Sequence, residues 1–293
     1  MKPLADALKS QNHYIEVFAY MGDPLDVGHP LHMENWAGFE LQPLLDLKPD
    51  LIIVWNGHNP DMNAAVRILR WGYKIAIMEQ AWFPQKDFCY LSDDLAQISA
   101  IKNIPYSEDV AKLDHNVRLL EEARNRYDLS LPNGLQLPER FVFVPRQYEN
   151  DTQILITSAY FKTMRSLLGY VKYKNPETPI VVTNHPIDKH KKNPDFVIDM
   201  TDKASSIALA MEAEIVIGIN STLLAETMLF RKPTLCLGDH VAEQAIGKER
   251  YRHKFEEYDY RSLVLIQNQF DFNNPPGWLI DKLNNLDVSP RRV

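Results

Sequence analysis

Short apolar runs alternate with helix-like periodicity throughout the second half of the chain. Each run has four or five residues, is rich in β-branched side chains and precedes a segment whose apolar residues have helical spacing. This alternation predicts buried parallel strands joined by right-handed helical crossovers. The predicted strands are 141–145, 180–183, 215–218 and 233–237, and the predicted helices are about 158–172, 204–211 and 221–230.

The first half shows a similar but less regular alternation. Its predicted strands are 14–20, 51–55 and 74–78, and its predicted helices are 3–10, 41–47, 61–72 and 109–127. The turn-forming stretch Ser130–Gly134 interrupts the pattern, so we predict a domain boundary near residue 135. The sequence therefore predicts an α/β fold with two Rossmann-like domains, residues 1–135 and 136–293, that face a cleft.

The composition is that of an ordinary globular protein, with 45% hydrophobic residues, 24% charged residues and a net charge of −7. The negative charge disfavours a general nucleic-acid coat, although a local basic groove is compatible with it. Cys89 and Cys236 fit no zinc or redox spacing and are interpreted as small buried residues. The sequence has no Gly-x-Gly-x-x-Gly or Walker A pattern, which disfavours a dinucleotide-binding or P-loop enzyme.

The sequence gives no sign of a membrane span. No apolar run reaches the length of about 18 residues that a transmembrane helix needs, and the first residues lack a signal-peptide core. We therefore expect a cytoplasmic protein with at most peripheral membrane contact. Pro275–Trp278 and Arg291–Arg292 are the segments considered for such contact, but a surface turn and a frayed tail explain them better.

Polar clusters follow three of the predicted strands in the second half. Ligands of open α/β sheets bind outside the carboxyl ends of the strands, so the three clusters predict one shared site. In the first cluster, Gln147 and Asp151 lie four residues apart after strand 141–145. A carboxylate beside an amide suits a base or nucleophile, whereas an Asx turn or a helix cap explains Asp151 equally well.

The second cluster is His185-Pro186, which follows strand 180–183. An imidazole at this place can donate a hydrogen bond to a phosphate oxygen, and the proline stiffens the turn that presents it. A packing or capping histidine is the alternative, because a lone His-Pro pair is common. The pair becomes informative only together with the neighbouring clusters.

The third cluster, Asn220-Ser221-Thr222, follows strand 215–218 and opens a predicted helix. These residue types cap helices well, and a helix N-terminus is a ready anion site. Glu226 lies one turn further along and is a candidate acceptor for ribose hydroxyls. A plain helix cap and an exposed glutamate are the alternatives, but the position directly after a buried strand favours phosphate binding.

The first half offers candidates for binding an acceptor. Asn56 and His58 follow strand 51–55, and Glu79 follows strand 74–78. Glu79 is a candidate general acid or base, whereas capping of loops is the alternative for these polar residues. Trp82 has a ring that can stack on a sugar, although a core or hinge role fits it equally well.

The three polar clusters together resemble the motifs of the β-Kdo glycosyltransferases, and more broadly of the capsular polysaccharide biosynthesis family and the GT-B sialyltransferases. The motifs are Gln147-x-x-x-Asp151, His185-Pro186 and Ser221-Thr222 with Glu226. The resemblance covers about residues 140–240. It implies a GT-B glycosyltransferase that binds a nucleotide-sugar donor in its second domain and a glycan acceptor in its first.

The resemblance also implies a role for each motif residue. Asp151 would be the nucleophile of a retaining transfer, and Gln147 would support it. His185 and the Ser221-Thr222 pair would bind the donor phosphate, and Glu226 would hold the ribose. The family's donor is CMP-Kdo, and the resemblance implies neither a metal nor another cofactor, because histidine and the helix dipole neutralise the charge.

Some alternatives stay open on sequence alone. The segment Glu79–Gln85 departs from the acidic pair with glycine that capsule Kdo enzymes more often have, so a UDP-sugar donor is also considered. An inverting transfer would use Glu79 or His58 as its base. Other functions considered are glycosylation of a modified base in DNA, nucleotide-sugar 2-epimerisation and non-catalytic nucleotide-sugar binding in an assembly complex.

Overall fold

The computed structural model divides into two compact units that each contain several segments of the chain. The first unit is Met1–Ala81, Lys86–Leu95 and Gln269–Val293, and the second is Trp82–Gln85 and Ala96–Asn268. The residues that the structure describes are 2–10, 17–19, 30–32, 46–55, 69, 72–85, 88–92, 113–151, 154–155, 158, 160–188, 190–238, 255–271 and 273–284.

The described residues form helices and strands that we number in chain order. The helices are α1 (Lys2–Ser10), α2 (Asp114–Arg124), α3 (Met164–Lys174), α4 (Ser206–Glu212), α5 (Thr222–Leu229), α6 (Phe255–Asn268) and α7 (Gly277–Asn284). The strands are β1 (Val17–Ala19), β2 (Pro30–His32), β3 (Leu51–Trp55), β4 (Lys74–Gln80), β5 (Phe88–Ser92), β6 (Val142–Pro145), β7 (Ile180–Thr183), β8 (Val197–Asp199), β9 (Ile215–Gly218), β10 (Thr234–Cys236) and β11 (Gln269–Asp271).

The second unit contains a five-stranded sheet in the order β10-β9-β6-β7-β8, and every pair in it is parallel. Numbered within the unit and counted from β8, this order is 3-2-1-4-5, which is the order of a doubly wound nucleotide-binding sheet. The direction of winding reverses between β6 and β9. That pair is therefore the topological switch point of the sheet.

Helices cover both faces of this sheet. Val142 and Val144 pack with Leu167 and other buried residues of α3 on one face. On the other face, Leu224 of α5 lies so close to Gly218 that a Cβ at this glycine would be 3.0 Å from Leu224 Cδ2. Because both faces of the three central strands β6, β7 and β9 are buried, these strands are apolar, and polar side chains appear only where they end.

The first unit has a sheet of a different kind, in the order β11-β5-β4-β3. β3 and β4 are parallel, whereas β5 is antiparallel to both β4 and β11. β1 and β2 pair separately as a short parallel ribbon. Leu4 and Leu8 of α1 and Leu279 and Leu283 of α7 share one apolar core with Met78 of β4.

The structure confirms the regular elements that the sequence predicts in the second half. The predicted strands 180–183 and 215–218 have the observed bounds of β7 and β9, and α1 confirms the predicted helix at 3–10. β4 is longer than predicted, because its last two residues pair with β5, a strand that the sequence pattern did not reveal. Most of the predicted helices 41–47 and 61–72 lies outside the described residues.

The division into units differs from the predicted boundary near residue 135, because α2 belongs to the second unit. Arg124 at the end of α2 donates to the carboxylate of Asp259 on α6 over 2.8 Å and to the carbonyl of Leu229 over 2.8 Å. Arg231 also donates to Asp259. These partly buried contacts join α2, α6 and the end of α5, all of which belong to the second unit.

Both cysteines are buried, as predicted, and Cys236 Sγ donates to the Ile219 carbonyl over 2.9 Å. Within the described ranges, no helix is both long enough and apolar enough to cross a membrane.

Candidate functional site at the ends of three parallel strands

The three predicted clusters meet at one edge of one sheet, because β9, β6 and β7 are direct neighbours. The β6–β7 ladder extends to Pro145 and Thr183, and the Arg146 N–H continues it by donating to the Thr183 carbonyl over 2.9 Å. The β6–β9 ladder pairs only Val142 with Ile215 and Phe143 with Val216. The carboxyl halves of β6 and β9 are therefore not paired with each other, and such a gap between strands is the crevice expected at a switch point.

An amide pair bridges this crevice. Gln147 Nε2 donates to Asn220 Oδ1 over 2.9 Å, and the Asn220 backbone N–H donates to Gln147 Oε1 over 3.1 Å. Both side chains are buried, with 7% and 4% of their surface exposed. Two residues that the sequence named as separate candidates are thus direct partners, and together they replace the backbone ladder beyond Phe143.

On the other side of β6, Arg146 reaches the segment that carries His185. We name residues 184–193 the His-Pro loop; Lys189 within it lies outside the described residues. Arg146 Nη1 donates to Asn184 Oδ1 over 3.1 Å and to Asn193 Oδ1. Because these asparagines stand at the beginning and end of the loop, one guanidinium holds both of its ends.

The His-Pro loop fixes which nitrogen of His185 carries hydrogen. The Ile187 backbone N–H donates to His185 Nδ1 over 3.2 Å, so Nδ1 acts as an acceptor. In a neutral imidazole whose Nδ1 accepts, Nε2 holds the hydrogen and is the donor. His185 can therefore offer an N–H to an anion without becoming charged. The ring of Tyr148 lies 6.3 Å from the imidazole, centroid to centroid.

Glu149 ties the end of β6 to both neighbouring segments. Its Oε1 accepts from the backbone N–H of Met164, the first residue of α3, over 2.8 Å. Its Oε2 accepts from Lys191 Nζ of the His-Pro loop over 2.9 Å. Burial would raise the pKa of Glu149, but the hydrogen bonds from Lys191 and Met164 and the charges of Lys191 and Arg146 lower it. Glu149 is thus held as a carboxylate.

Asp151 stands half-buried in the turn that follows these residues. Its backbone N–H donates to the Tyr148 carbonyl over 2.9 Å, and its carbonyl accepts from the Leu155 N–H over 3.0 Å. Thr163, and not Asp151, caps α3 by accepting from the Ser166 N–H. The structure thus fixes the backbone of Asp151, while the role of its carboxylate stays a prediction.

Ser221 caps α5 as predicted, because its side chain accepts from the Leu223 N–H over 3.3 Å. Thr222 is the first residue of that helix. The N-terminus of α5 follows directly from the switch point, where its N–H groups and the helix dipole favour an anion. Anion binding by Ser221 and Thr222 stays a prediction.

Glu226, one turn into α5, forms a chain of contacts with Tyr127 and Trp82. The Tyr127 hydroxyl lies 3.1 Å from Glu226 Oε1 and 3.2 Å from the Trp82 carbonyl oxygen. A phenol has one hydrogen and can donate to only one of these acceptors at a time. Burial raises the pKa of Glu226 to about 7, with the hydrogen bond from Tyr127 acting in the opposite direction. When Glu226 is protonated it can donate to Tyr127, which then donates to Trp82.

Trp82 was predicted to contact an acceptor, and the structure buries its side chain to 2% exposure. The segment Trp82–Gln85 belongs to the second unit. Its backbone is held there by Arg126, which donates to the Phe83 carbonyl over 2.9 Å, and by Tyr127. The core role that the sequence left open for Trp82 thus describes its environment in this structure, and acceptor contact stays a prediction.

Glu79 lies within β4 and not after it, which corrects the predicted strand end at residue 78. It is buried at 9% exposure and stands opposite Tyr90 of β5. Burial raises the pKa of Tyr90, and the charge of Glu79 raises it further. Asn56 and His58, the other acceptor candidates, lie outside the described residues.

Sequence reasoning missed Arg146, Glu149, Asn193 and Tyr127. The first two flank Gln147 at the end of β6, and that position was the available signal. Tyr127 gave no local signal, because its partners Trp82 and Glu226 are 45 and 99 residues away in sequence. Among the described residues, no group of three or more His, Cys, Asp or Glu side chains is arranged to hold a metal ion.

Comparisons with known proteins match the part of the chain that contains the three strand-end clusters. Residues 123–243 match the family model described as capsule polysaccharide biosynthesis protein, and that range contains all three strand-end clusters. Protein FixF of Sinorhizobium fredii (strain NBRC 101917 / NGR234) is 26% identical over 245 residues, which are 79% of this chain and 56% of FixF. The chain thus spans just over half the length of this curated relative.

Two solved structures have a similar fold, and both come from Thermosulfurimonas dismutans KpsC. The β-Kdo 2,7 transferase aligns with a TM-score of 0.57 and 19% identity, covering 87% of this chain and 91% of that one. The β-Kdo 2,4 transferase aligns with a TM-score of 0.55 and 15% identity, covering 82% and 87%. The family resemblance predicted from the motifs is therefore confirmed as a resemblance: residues 123–243 match the capsule polysaccharide biosynthesis model, and the fold is similar to that of the two KpsC β-Kdo transferase structures.

Proposed function

We propose that this chain is a GT-B glycosyltransferase that moves a sugar from a nucleotide-sugar donor to a glycan acceptor. In this proposal the two units are Rossmann-like domains facing a cleft, and the second binds the donor. The observation that carries the proposal is the meeting of three polar clusters at the switch point of a 3-2-1-4-5 parallel sheet. It is supported by the family match over the same residues and by the fold shared with the KpsC transferases.

The donor's phosphate would lie between the His-Pro loop and the N-terminus of α5. His185 has its Nε2–H free to donate because Nδ1 is occupied as an acceptor. Ser221 and Thr222 stand where the helix dipole is most positive. Pro186 and Asn220 hold the two segments that present these groups. Such donors would meet the charge of a leaving phosphate without a metal ion, and the family resemblance favours a CMP-sugar, which has a single phosphate.

Glu226 would accept hydrogen bonds from the ribose hydroxyls of the nucleotide. Its side chain stands one turn into α5, beyond the residues proposed to bind the phosphate. Tyr127 already contacts the carboxyl group, so Oε1 has one partner before a ligand arrives. Ribose binding would then favour the ionised form, which accepts at both oxygens.

Asp151 would act as the nucleophile of a retaining transfer. Its carboxylate oxygen would form a bond to the anomeric carbon while the bond from that carbon to the nucleotide phosphate oxygen breaks, and the nucleotide leaves as an anion stabilised by His185. The acceptor hydroxyl would then attack the same carbon, lose its proton to a base and release the Asp151 carboxylate. Gln147 keeps the end of β6 in place beside this aspartate.

The first unit would supply acceptor contacts through Asn56, His58 and Glu79. Trp82, in the segment Trp82–Gln85 of the second unit, would add a further contact. Glu79 is the proposed base that takes the acceptor proton. In an inverting variant of the mechanism it would do so in a single displacement, without a covalent intermediate on Asp151. The two mechanisms differ in whether Asp151 ever bonds to the sugar.

A thermal-shift screen against CMP, UDP, GDP and dTDP tests the donor class, because a ligand that binds only the native state stabilises it. At a CMP concentration of 100 times its Kd, the expected gain is about 2.7 kcal/mol. A shift with CMP supports a CMP-sugar, and a shift with UDP alone moves the donor to a UDP-sugar. No shift with any of the four would contradict the proposal.

Transfer from CMP-Kdo to a glycan acceptor, followed by mass spectrometry, tests the catalytic residues. D151N should abolish transfer, whereas D195N, an exposed aspartate of the same unit, should not affect it. H185A should weaken donor binding, whereas H190A in the same loop serves as its control. Trapping of a sugar on Asp151 would establish the retaining route, and full activity of D151N would remove this residue from the mechanism.

A further inference from the structure

Arg146 is a buried cation at the most central position of the candidate site. It directly follows β6, the middle strand of the five, and only 8% of its surface is exposed. Burial lowers its pKa, and the charges of Glu149, Asp188 and Asp199 partly oppose that effect. A guanidinium remains charged in proteins under all ordinary conditions, so a positive charge is fixed at this strand end.

The hydrogen-bond partners of the Arg146 guanidinium are neutral amides, which is unusual for a buried cation. Nη1 donates to the amide oxygens of Asn184 and Asn193, and within the described part of the chain Nε has no hydrogen-bond partner. Burying a charge is costly unless it is paired with an opposite charge. The carboxylate of Glu149 accepts a hydrogen bond from Lys191. The carboxylate of Asp199 accepts hydrogen bonds from Asn193 and from the Thr201 N–H.

The bonds of Arg146 close the His-Pro loop on itself. Asn193 Nδ2 donates to Asn184 Oδ1 over 3.1 Å, and Asn184 Nδ2 donates to the Lys191 carbonyl over 2.9 Å. The Asn184 N–H donates to Thr201 Oγ1 over 2.8 Å. We name the hydrogen-bonded side chains of Arg146, Asn184 and Asn193 the clasp. Because His185 directly follows Asn184, a shift of the clasp changes the direction in which the imidazole points.

We propose that Arg146 is the positioning residue of the phosphate-binding loop, and that it selects anionic nucleotides over uncharged nucleosides. It holds Asn184 and Asn193 so that His185 presents Nε2–H at the crevice, and its charge raises the local potential there. This inference rests on the proposed function, because the ligand of the loop is taken to be a nucleotide phosphate. The role differs from that of a general core residue, since it acts on the phosphate and not on the base or ribose.

The test compares R146M with R140M. Arg140 precedes the same strand at its opposite end, where it is exposed and paired with Glu214, so the two variants remove the same group from the two ends of β6. The ratio of the Kd for cytidine to the Kd for CMP, measured by calorimetry, isolates the contribution of the phosphate. In R146M this ratio should fall at least tenfold while the Kd for cytidine changes less than twofold, and R140M should match the parent protein.

Nitrogen-15 NMR of selectively labelled histidine provides a readout that needs no ligand. The His185 signals, assigned with an H185Q variant, should show one fixed tautomer with Nε2–H in the parent protein and averaged tautomers in R146M. If R146M does not fold, N193A breaks the same clasp from the half-buried loop side and should give both changes.

Two results would overturn the inference. One is an unchanged cytidine-to-CMP ratio in a folded R146M or N193A protein, and the other is a His185 tautomer that stays fixed in these variants. Failure of the parent protein to bind CMP, with tautomer averaging still caused by R146M, would instead overturn the proposed CMP donor and leave the positioning role of Arg146 in place.

Discussion

The carboxyl end of β6 is joined to its two neighbours by different chemistry. Towards β9 the backbone ladder ends early, and two neutral amides, Gln147 and Asn220, bridge the remaining gap. Towards β7 the ladder continues to the last residue of the strand, and the charged side chain of Arg146 extends the connection into the His-Pro loop.

This difference suggests a structural role for the amide pair on the β9 side and a ligand-binding role for Arg146 on the β7 side. A reciprocal amide pair satisfies both of its members and creates no net charge, so it can hold a crevice open without attracting an ion. The guanidinium of Arg146 donates to neutral amides and places a positive charge at the strand end, and the proposed role of that charge is to favour an anion. If that proposal holds, substitutions on the two sides of the strand end should affect different measurements.

The largest effect is expected from breaking the amide bridge with Q147L. The substitution removes two hydrogen bonds from buried groups, those to the Asn220 Oδ1 and from the Asn220 N–H, and losing a buried hydrogen bond of this kind costs about 1–3 kcal/mol. We expect a loss of about 4 kcal/mol in the free energy of unfolding, measured by urea denaturation.

The control for Q147L is Q85L, the same change at an exposed glutamine of the second unit, which should alter stability by less than about 0.5 kcal/mol. In the double variant Q147L/N220L part of the loss should return, because both side chains of the Nε2–Oδ1 bond are then apolar. Equal stabilities of Q147L and the parent protein would show that the bridge does not hold the crevice.

A smaller, pH-dependent effect is expected on the β9 side from E226Q. The pKa of Glu226 is raised to about 7 in the folded protein from the ordinary 4.5, so the folded state favours the protonated acid. Its contribution to stability is complete below about pH 4.5 and is lost as the pH rises through about 7, a change of roughly 3 kcal/mol. E226Q mimics the protonated acid and should keep its stability at pH 8.

Urea denaturation of both proteins at pH 5 and pH 8 checks this expectation. E226Q should exceed the parent protein in stability at pH 8 and approach it at pH 5. The exposed E122Q on α2 is the matched control and should follow the parent protein at both values. If the parent protein were more stable than E226Q at pH 8, the pKa of Glu226 would be lowered and not raised in the folded protein.

The smallest effect is expected on the β7 side from K191M. Lys191 is 39% exposed and pairs with Glu149 at 2.9 Å and with Asp188 at 3.7 Å. Surface ion pairs of this kind contribute between about 0 and 1 kcal/mol, and salt screens them. K191M should therefore change stability by less than about 1 kcal/mol in low salt and by still less in 1 M NaCl.

If K191M lost as much free energy of unfolding as Q147L, the contacts on both sides of β6 would contribute equally to stability. Hydrogen exchange of the His-Pro loop amides gives a second check, because weakening the Lys191–Glu149 pair should speed exchange in the loop and leave β9 protected.

Local sequence pattern was sufficient for four of the five strands of the second sheet, but it did not predict the edge strand β8. Ile180–Thr183 and Ile215–Gly218 are short runs rich in isoleucine and valine, with helical patterns before and after each run. Their bounds therefore followed from the residues alone. Adjacent placement of the three polar clusters followed from the rule that ligands bind at the carboxyl ends of parallel strands. The cap at Ser221 followed from its residue type.

Pairing over long distances was beyond the reach of that pattern. β5 was missed, and one of its two partners, β11, comes about 180 residues later in the chain. The antiparallel pairing of β5 with β4 and β11 is what makes the first sheet mixed. Gln147 and Asn220 are 73 residues apart, so each was recognised as polar but not as the partner of the other. The only local signal of Arg146 was its position at the end of β6, because its partners Asn184 and Asn193 lie 38 and 47 residues away in sequence.

The return of the chain to the first unit has a consequence for the order of synthesis on the ribosome. All five strands of the second sheet lie between residues 142 and 236, whereas Phe270, Leu279 and Leu283 of the first core come after residue 268. A nascent chain can therefore complete its second sheet while the first still lacks an edge strand and a core helix. Domains usually mature from the N-terminus during translation. In this protein the unit that is started first is finished last.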